Sequence, residues 1–259
     1  MERSNLKEIV KTAYGKIAKE ASSCCGQHSG CCGNPDFQKE IYRKTGYSEE
    51  DLAQVPQEAN LGLGCGNPSL YAGLREGEKV LDIGSGAGFD CFLASKMVGR
   101  TGKVIGVDIT KEMVNKAKAI AKKEGYDNVE FIVGDMESLP ISENSIDVVI
   151  SNCAINLSTD KGRVFAEVYR IVKPGGRIAI SDTVLSKELP DSVKNSIDAY
   201  ISCVSGALMR EEYLRILKDS GFCDVKIIEE SFFSQGEFTP DSVSSLRSIS
   251  VLAFKPKEG

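Results

Sequence analysis

Apolar residues recur along this chain in two periods, and the switches between them mark out the elements. Over residues 4–20, Leu6, Ile9, Val10, Ala13 and Ile17 fall on one helical face. SSCCGQHSGCCGNP (22–35) follows without any apolar period, and SEEDL (48–52) reads as the capped start of a second helix. ANLGLGCGNP (59–68) is loop chemistry again, which places a boundary near Gly73. From Lys79 the pattern alternates. EKVLDIGSG, KVIGVDIT, VEFIVGD, SIDVVISN and RIAISDTVL read as strands, the last entered through a KPGG turn. GFDCFLASKMVG, KEMVNKAKAIAKKEG and GRVFAEVYRIV read as the helices between them, and further helices are expected around 191–200 and 210–220. DVKIIEE and SISVLAFK are the last two strand candidates. Strands alternating with helices predict an α/β fold with a parallel sheet. The expected organisation is a helical, cysteine-rich cap (1–73), a Rossmann-like core (74–185) and a segment (186–259) holding an insertion and the final strands.

Composition narrows the function. No run approaches the roughly 18 apolar residues of a membrane helix, and the first twenty residues lack the apolar centre of a secretory signal. A cytoplasmic location, with no membrane partner, is the expectation. A net charge of −5 argues against a nucleic-acid partner, since nothing neutralises phosphates. Nine cysteines in a reducing compartment should be reactive, metal-binding or simply buried. The one histidine, His28, lies among the N-terminal cysteines, which leaves the core without a histidine base.

VLDIGSGAGFD ends one strand and opens the next helix. Gly84, Gly86 and Gly88, with Ser85 between them, form a loop whose backbone approaches a ligand closely at a helix N-terminus. By itself the loop suits NAD, FAD or S-adenosylmethionine. Asp108 ends the second strand, 20 residues beyond Gly88, placed to accept both ribose hydroxyls. Asp135 and Met136 follow the third strand, where an adenine edge and face can be met. Dinucleotide enzymes favour G-x-G-x-x-G, whereas here the third glycine comes one residue early. Asp82-Ile-Gly-Ser-Gly-Ala-Gly, Val107-Asp108, Gly134-Asp135-Met136 and Lys173-Pro174-Gly175-Gly176 together resemble the class I methyltransferases. That likeness implies S-adenosylmethionine as cofactor, Asp82 near its methionine end, and a mainly parallel seven-stranded sheet with one of the last two strands antiparallel.

Three thiols come from separate segments. Cys153 follows the fourth strand, Cys65 sits in a glycine-rich loop before the core, and Cys203 lies in the insertion after the fifth strand. Ligands of open α/β sheets bind beyond the carboxyl ends of the strands, so the three can converge there. A free cysteine is also a small hydrophobe, and Cys91 and Cys223 read as core residues of that kind. ANLGLGCGNP, SNCAINLS with KGRVFAEVYRIVKPGGRIAISD, and the cysteine after DAYI resemble the arsenite methyltransferases over nearly the whole chain. The resemblance implies that Cys65, Cys153 and Cys203 bind trivalent arsenic and that Cys24 and Cys25 take part in its uptake and redox steps. Cys31 and Cys32 match less closely. Leu63 stands where some members carry an aromatic residue.

The chemistry suits the residues. Soft thiolates select soft centres, and trivalent arsenic held by three of them keeps a lone pair that attacks a sulfonium methyl without proton removal. Arsenic then becomes formally pentavalent, and a two-electron donor must return it to the trivalent state. The chain's own thiols, later reduced by a small thiol or a thioredoxin-type partner, can supply those electrons. The expected partners are arsenite or its thiol conjugates and such a reductant, and a monomer is compatible with the sequence. CCGQHSGCC lacks the C-x2-C spacing of structural zinc sites and reads as a capture-and-exchange loop, with His28 solvated and the helix before it docked as a lid. Two other functions fit parts of the chain. One is carbon or oxygen methylation of a small metabolite such as a quinone precursor. The other is a non-catalytic protein that sequesters a thiophilic ion.

Overall fold

The structure, a computed structural model, describes residues 3–20, 45–232 and 245–257. Seven strands form one sheet: β1 (Lys79–Ile83), β2 (Lys103–Asp108), β3 (Val129–Val133), β4 (Ile146–Asn152), β5 (Val172–Leu185), β6 (Cys223–Phe232) and β7 (Leu246–Phe254). Their spatial order is β3-β2-β1-β4-β5-β7-β6. The first five run parallel, and β7 runs antiparallel to both of its neighbours. This is the mainly parallel sheet the sequence pattern predicts.

The central strands are apolar on both faces because helices cover both. Leu81, Ile83, Ile105, Val107 and Val149 join one core cluster, while Val80, Val104, Val148 and Ile150 point the other way into a second. Helices α4 (Phe89–Val98) and α5 (Lys111–Glu124) pack on the second face, and α6 (Lys161–Ile171) and α9 (Arg210–Asp219) on the first. Gly125, at φ +72°, closes α5 as a left-handed cap.

Several segments gather over the carboxyl edge. Helix α1 (Arg3–Glu20) buries Val10 and Ile17. Lys7 of α1 reaches Asp135 and Glu137 at 2.7 and 2.6 Å, and the Tyr14 hydroxyl donates to the carbonyl of Ile201 at 3.0 Å. Helix α2 (Glu49–Gln54) starts with a capping box between Ser48 and Asp51, and α3 (Pro68–Ala72) follows the Cys65 loop. Beyond β5 lie α7 (Asp191–Lys194) and α8 (Ile197–Ile201).

Three local readings change. KPGG belongs to β5 and is no separate turn. Gly175, at φ +77°, lets the extended chain bend, and the β4–β5 register shifts between Ile146 and Val148. The helix expected around 191–200 is two short ones, because the Ser196 side chain accepts from the Ala199 N–H and starts a new helix. Cys223 is exposed, since β6 is an edge strand with most of its residues in solvent. The cysteine-rich stretch with Cys24, Cys25, His28, Cys31 and Cys32 lies outside the described residues. No helix among the described residues is long and apolar enough to cross a membrane.

Arg177 on β5 fixes the joint between the Cys65 loop and the sheet. Its guanidinium donates to the carbonyls of Ala72 and Gly73 and pairs with Glu78 at 2.7 and 2.8 Å. The pair is largely buried, so removing one partner strands the other. Arg177→Ala should lower the unfolding free energy by about 3 kcal/mol, measured by urea denaturation.

Candidate active site

A cleft of about 1090 Å³, partly open to solvent, runs along the carboxyl edge between α1 and the ends of β1, β2 and β4. Gly84, Ser85, Gly86, Asp82, Asp108, Asp135 and Met136 line it, together with Cys153 and Ala154. The glycine loop is left-handed at Gly84, Gly86 and Gly88 (φ +72°, +53° and +92°). At Gly84 close approach adds to this, since a Cβ there would stand 2.2 Å from that of Ala154. A Cβ at Gly86 would meet nothing within 4 Å. The Oγ of Ser85, almost fully buried, has no hydrogen-bond partner among the described residues.

Asp108 closes the far side of the loop, accepting from the Gly86 N–H at 2.9 Å and the Thr110 N–H at 2.7 Å. Burial pushes its carboxyl above the usual range, and those two N–H groups pull it back. Asp135 is already engaged by Lys7. Asp82 is 1% exposed and accepts from the Cys91 thiol at 3.2 Å. Burial raises its carboxyl well above normal, and the nearby Asp90 charge raises it further. An open cradle at Gly86, an unpartnered Ser85 hydroxyl and acids at the ends of β1 and β2 fit a cationic nucleoside cofactor of the S-adenosylmethionine type.

Cys153 lines this cleft, and the other two thiols cluster with it behind the lining. Cys65, Cys153 and Cys203 are all buried and share one apolar cluster with Leu185, Ala199 and Leu246. The Cys203 thiol donates to the Cys153 carbonyl at 2.8 Å. The neighbouring thiols of Cys203 and then Cys65 hold the Cys153 thiol well below its ordinary value. Burial, then the hydrogen bond to Cys153, pushes Cys65 up, and that same bond, with burial, pushes Cys203 up. Of the three, Cys153 is the thiol whose surroundings most favour the anion. As the side chains stand, no group of three or more His, Cys, Asp or Glu among the described residues is arranged to hold a metal ion. Behind them lies the buried carboxylate of Asp182, which accepts from Asn156, the Thr183 N–H and Tyr213.

Two of these cysteines carry a backbone that L-residues avoid, Cys153 at φ +56° and Cys203 at +60°. A left-handed non-glycine residue costs on the order of 1–3 kcal/mol and gathers at functional sites. Packing alone needs no such geometry, and Cys91, in regular helix, has none of it. Cys65 is held by the glycines beside it. A Cβ at Gly64 would stand 2.7 Å from the Asn152 amide nitrogen, and one at Gly66 would stand 2.6 Å from both Cβ and Oγ of Ser181. The Ser248 hydroxyl donates to the Cys65 carbonyl at 2.6 Å.

Local sequence pattern missed Lys7, Tyr47, Asp90, Glu137 and Asn152. Tyr47 donates to Asp90 at 2.6 Å, and Glu137 accepts from Ser158 at 2.8 Å. The one available signal was for Asn152, inside SNCAINLS next to Cys153.

The family model described as a methyltransferase domain matches residues 74–221. The chain is 42% identical to the arsenite methyltransferase of Halobacterium salinarum over 96% of its own length and 66% of the relative's. It is 35% identical to that of Aquipseudomonas alcaligenes over 86% and 64%. Among solved structures, it is similar to an arsenic(III) S-adenosylmethionine methyltransferase from Chlamydomonas reinhardtii, with 34% identity, 84% and 73% coverage and a TM-score of 0.66. The fold and cleft are those of a class I S-adenosylmethionine-dependent methyltransferase. Within that class, the chain belongs to the arsenite methyltransferase family. It spans just under two thirds of the length of these curated relatives.

Two outcomes are expected. Gly66→Ala should cost about 1–3 kcal/mol through overpacking against Ser181 and raise the alkylation rate of Cys65, both measurable on the purified chain. Asp90 is pushed up to about 6, chiefly by burial. The folded state thus holds a proton that the unfolded chain releases near 3.9, so this carboxyl's stabilising effect is full below that value and is lost as pH rises to about 6. Relative to Asp90→Asn, the native chain should lose on the order of 3 kcal/mol between pH 4 and 7, measured by denaturant titration at each pH.

Proposed function

We propose that this chain transfers methyl groups from S-adenosylmethionine to trivalent arsenic held by Cys65, Cys153 and Cys203, giving methylated arsenicals for detoxification. One observation carries the reading. Three buried thiols, 88 and 50 residues apart along the chain, share a single cluster at the cofactor cleft. Two of them hold strained left-handed backbones.

When bound, the cofactor supplies an electrophilic methyl group on a sulfonium. The chain's part is to hold and aim the substrate. Cys153 is the entering ligand for arsenite and Cys65 and Cys203 follow, each S–H proton leaving with a displaced arsenic hydroxyl as water, so that three As–O bonds are exchanged for three As–S bonds. Three sulfurs leave arsenic neutral and pyramidal with its lone pair free. Cys153, the one of the three that lines the cleft, points that site toward the glycine loop. Asp108 and Ser85 would meet the ribose and methionine portions and Asp135 and Met136 adenine, while Asp82 and Asp90 lie toward the sulfonium end, where a cation would favour their ionised form. Lys7 must yield Asp135 if adenine is to reach it. Alignment in line is the main catalytic effect, and misplacement by about 1 Å can cost about 100-fold. After transfer, two electrons return arsenic to the trivalent state as a thiol pair becomes a disulfide. Cys24 and Cys25 are the candidate pair, with a small thiol or thioredoxin-type protein as final reductant.

A small-metabolite methyltransferase would use the same cleft but gives no role to the clustered thiols. A sequestering protein would need neither the glycine loop nor Asp108. Cys65→Ser, Cys153→Ser and Cys203→Ser should each reduce methylated arsenic by about 100-fold or more, measured by chromatography with arsenic detection, while S-adenosylhomocysteine still binds. Full turnover in all three variants would end the proposal.

A further inference from the structure

Resting on the arsenic reading above, we infer that Asn152 is a positioning residue that sets Cys65 against Cys153 and ties both to the cofactor cleft. Every polar site on its amide is used. The oxygen accepts from the Cys65 N–H at 2.9 Å and the Gly66 N–H at 3.3 Å. The nitrogen donates to the Gly66 carbonyl at 2.7 Å, the Tyr47 hydroxyl at 2.9 Å and the Asp90 carboxylate at 3.1 Å. Donors face the oxygen and acceptors face the nitrogen, so the orientation of the amide is fixed by its partners.

These bonds join four separate segments. Asn152 ends β4, and the next residue is Cys153. Its amide grips the Cys65 loop on both its N–H and C=O sides. Through Tyr47 and Asp90 it reaches the cap before the loop and the first turn of α4, and both Asp90 and Asn152 line the cleft. Gly64 is a glycine because the Asn152 amide occupies the space its Cβ would fill. The loop is therefore shaped to this side chain. An ionised aspartate in its place has no hydrogen to donate to the carbonyl, and serine or threonine carries one donor where the amide has two. The Cys65 sulfur takes its place in the trio only while that grip holds.

Arsenite protection of thiols, mapped by alkylation and mass spectrometry on the whole reduced chain, tests this. In the native chain, arsenite should shield Cys65, Cys153 and Cys203 together. In Asn152→Ala, Cys153 and Cys203 should stay shielded while Cys65 becomes alkylated, and turnover should fall by about 100-fold with little change in KM for S-adenosylmethionine. Asn152→Asp keeps the shape and the acceptor but loses both N–H donors that the three acceptors share. It should give the same selective loss, and it serves if the alanine variant does not fold. Shielding of Cys65 equal to that of the other two in both variants overturns the inference and leaves the arsenic site standing. Equal loss at all three thiols overturns it as well, because that marks a general structural role. Absence of shielding in the native chain overturns the arsenic reading itself, and this inference with it.

Discussion

Contact between the turn after β1 and the turn after β4 is the constraint on which the rest of this molecule depends. The two strands are neighbours in the sheet, so their carboxyl ends must emerge side by side. Gly84 has no side chain, and the methyl of Ala154 occupies the space one would need. The glycine loop and the thiol loop are thereby in van der Waals contact, with Cys153 one residue from the touching point. The topology already puts the two loops together, and α1 and the insertion lie over what the two turns begin.

Electrostatics at this edge follow from burial. Asp82, Asp90, Asp108 and Asp182 are all pushed above the usual carboxylate range, mainly because they have lost water. On the cofactor side this leaves acids that a sulfonium cation relieves. On the thiol side only Cys153 is pushed toward the anion, by the neighbouring thiols of Cys203 and Cys65. A fully ionised trio would be three like charges in an apolar cluster, so under the proposed reading the sulfurs engage arsenic one at a time.

The sheet and the cofactor loop were legible in the sequence because both depend on local rules. Strand period, helix caps such as Ser48 and Gly125, and the glycines at 84, 86 and 88 announce themselves within a few residues. Asp108 was legible from its spacing. What stayed hidden is long-range. The bonds from Asn152 to Cys65, Asp90 and Tyr47 span 87, 62 and 105 residues, and no periodicity encodes them. The Lys7–Asp135 pair spans 128. The error at Cys223 has the same origin: its apolar neighbours suggested a core strand, and only the strand order reveals an edge. KPGG misled because a Pro-Gly-Gly run signals a turn, while a continuing strand can absorb it as a bend.

The left-handed backbones at Cys153 and Cys203 bear on how such a site is inherited. Glycine or asparagine would occupy either position more comfortably, so the cysteine at each stands against a conformational bias. Under the proposed reading, a lineage released from arsenic exposure would drift first at these two codons, ahead of Cys65, whose backbone gives mutation no comparable incentive. The pair would record, in the descendants of this chain, when the selective need for the metalloid lapsed.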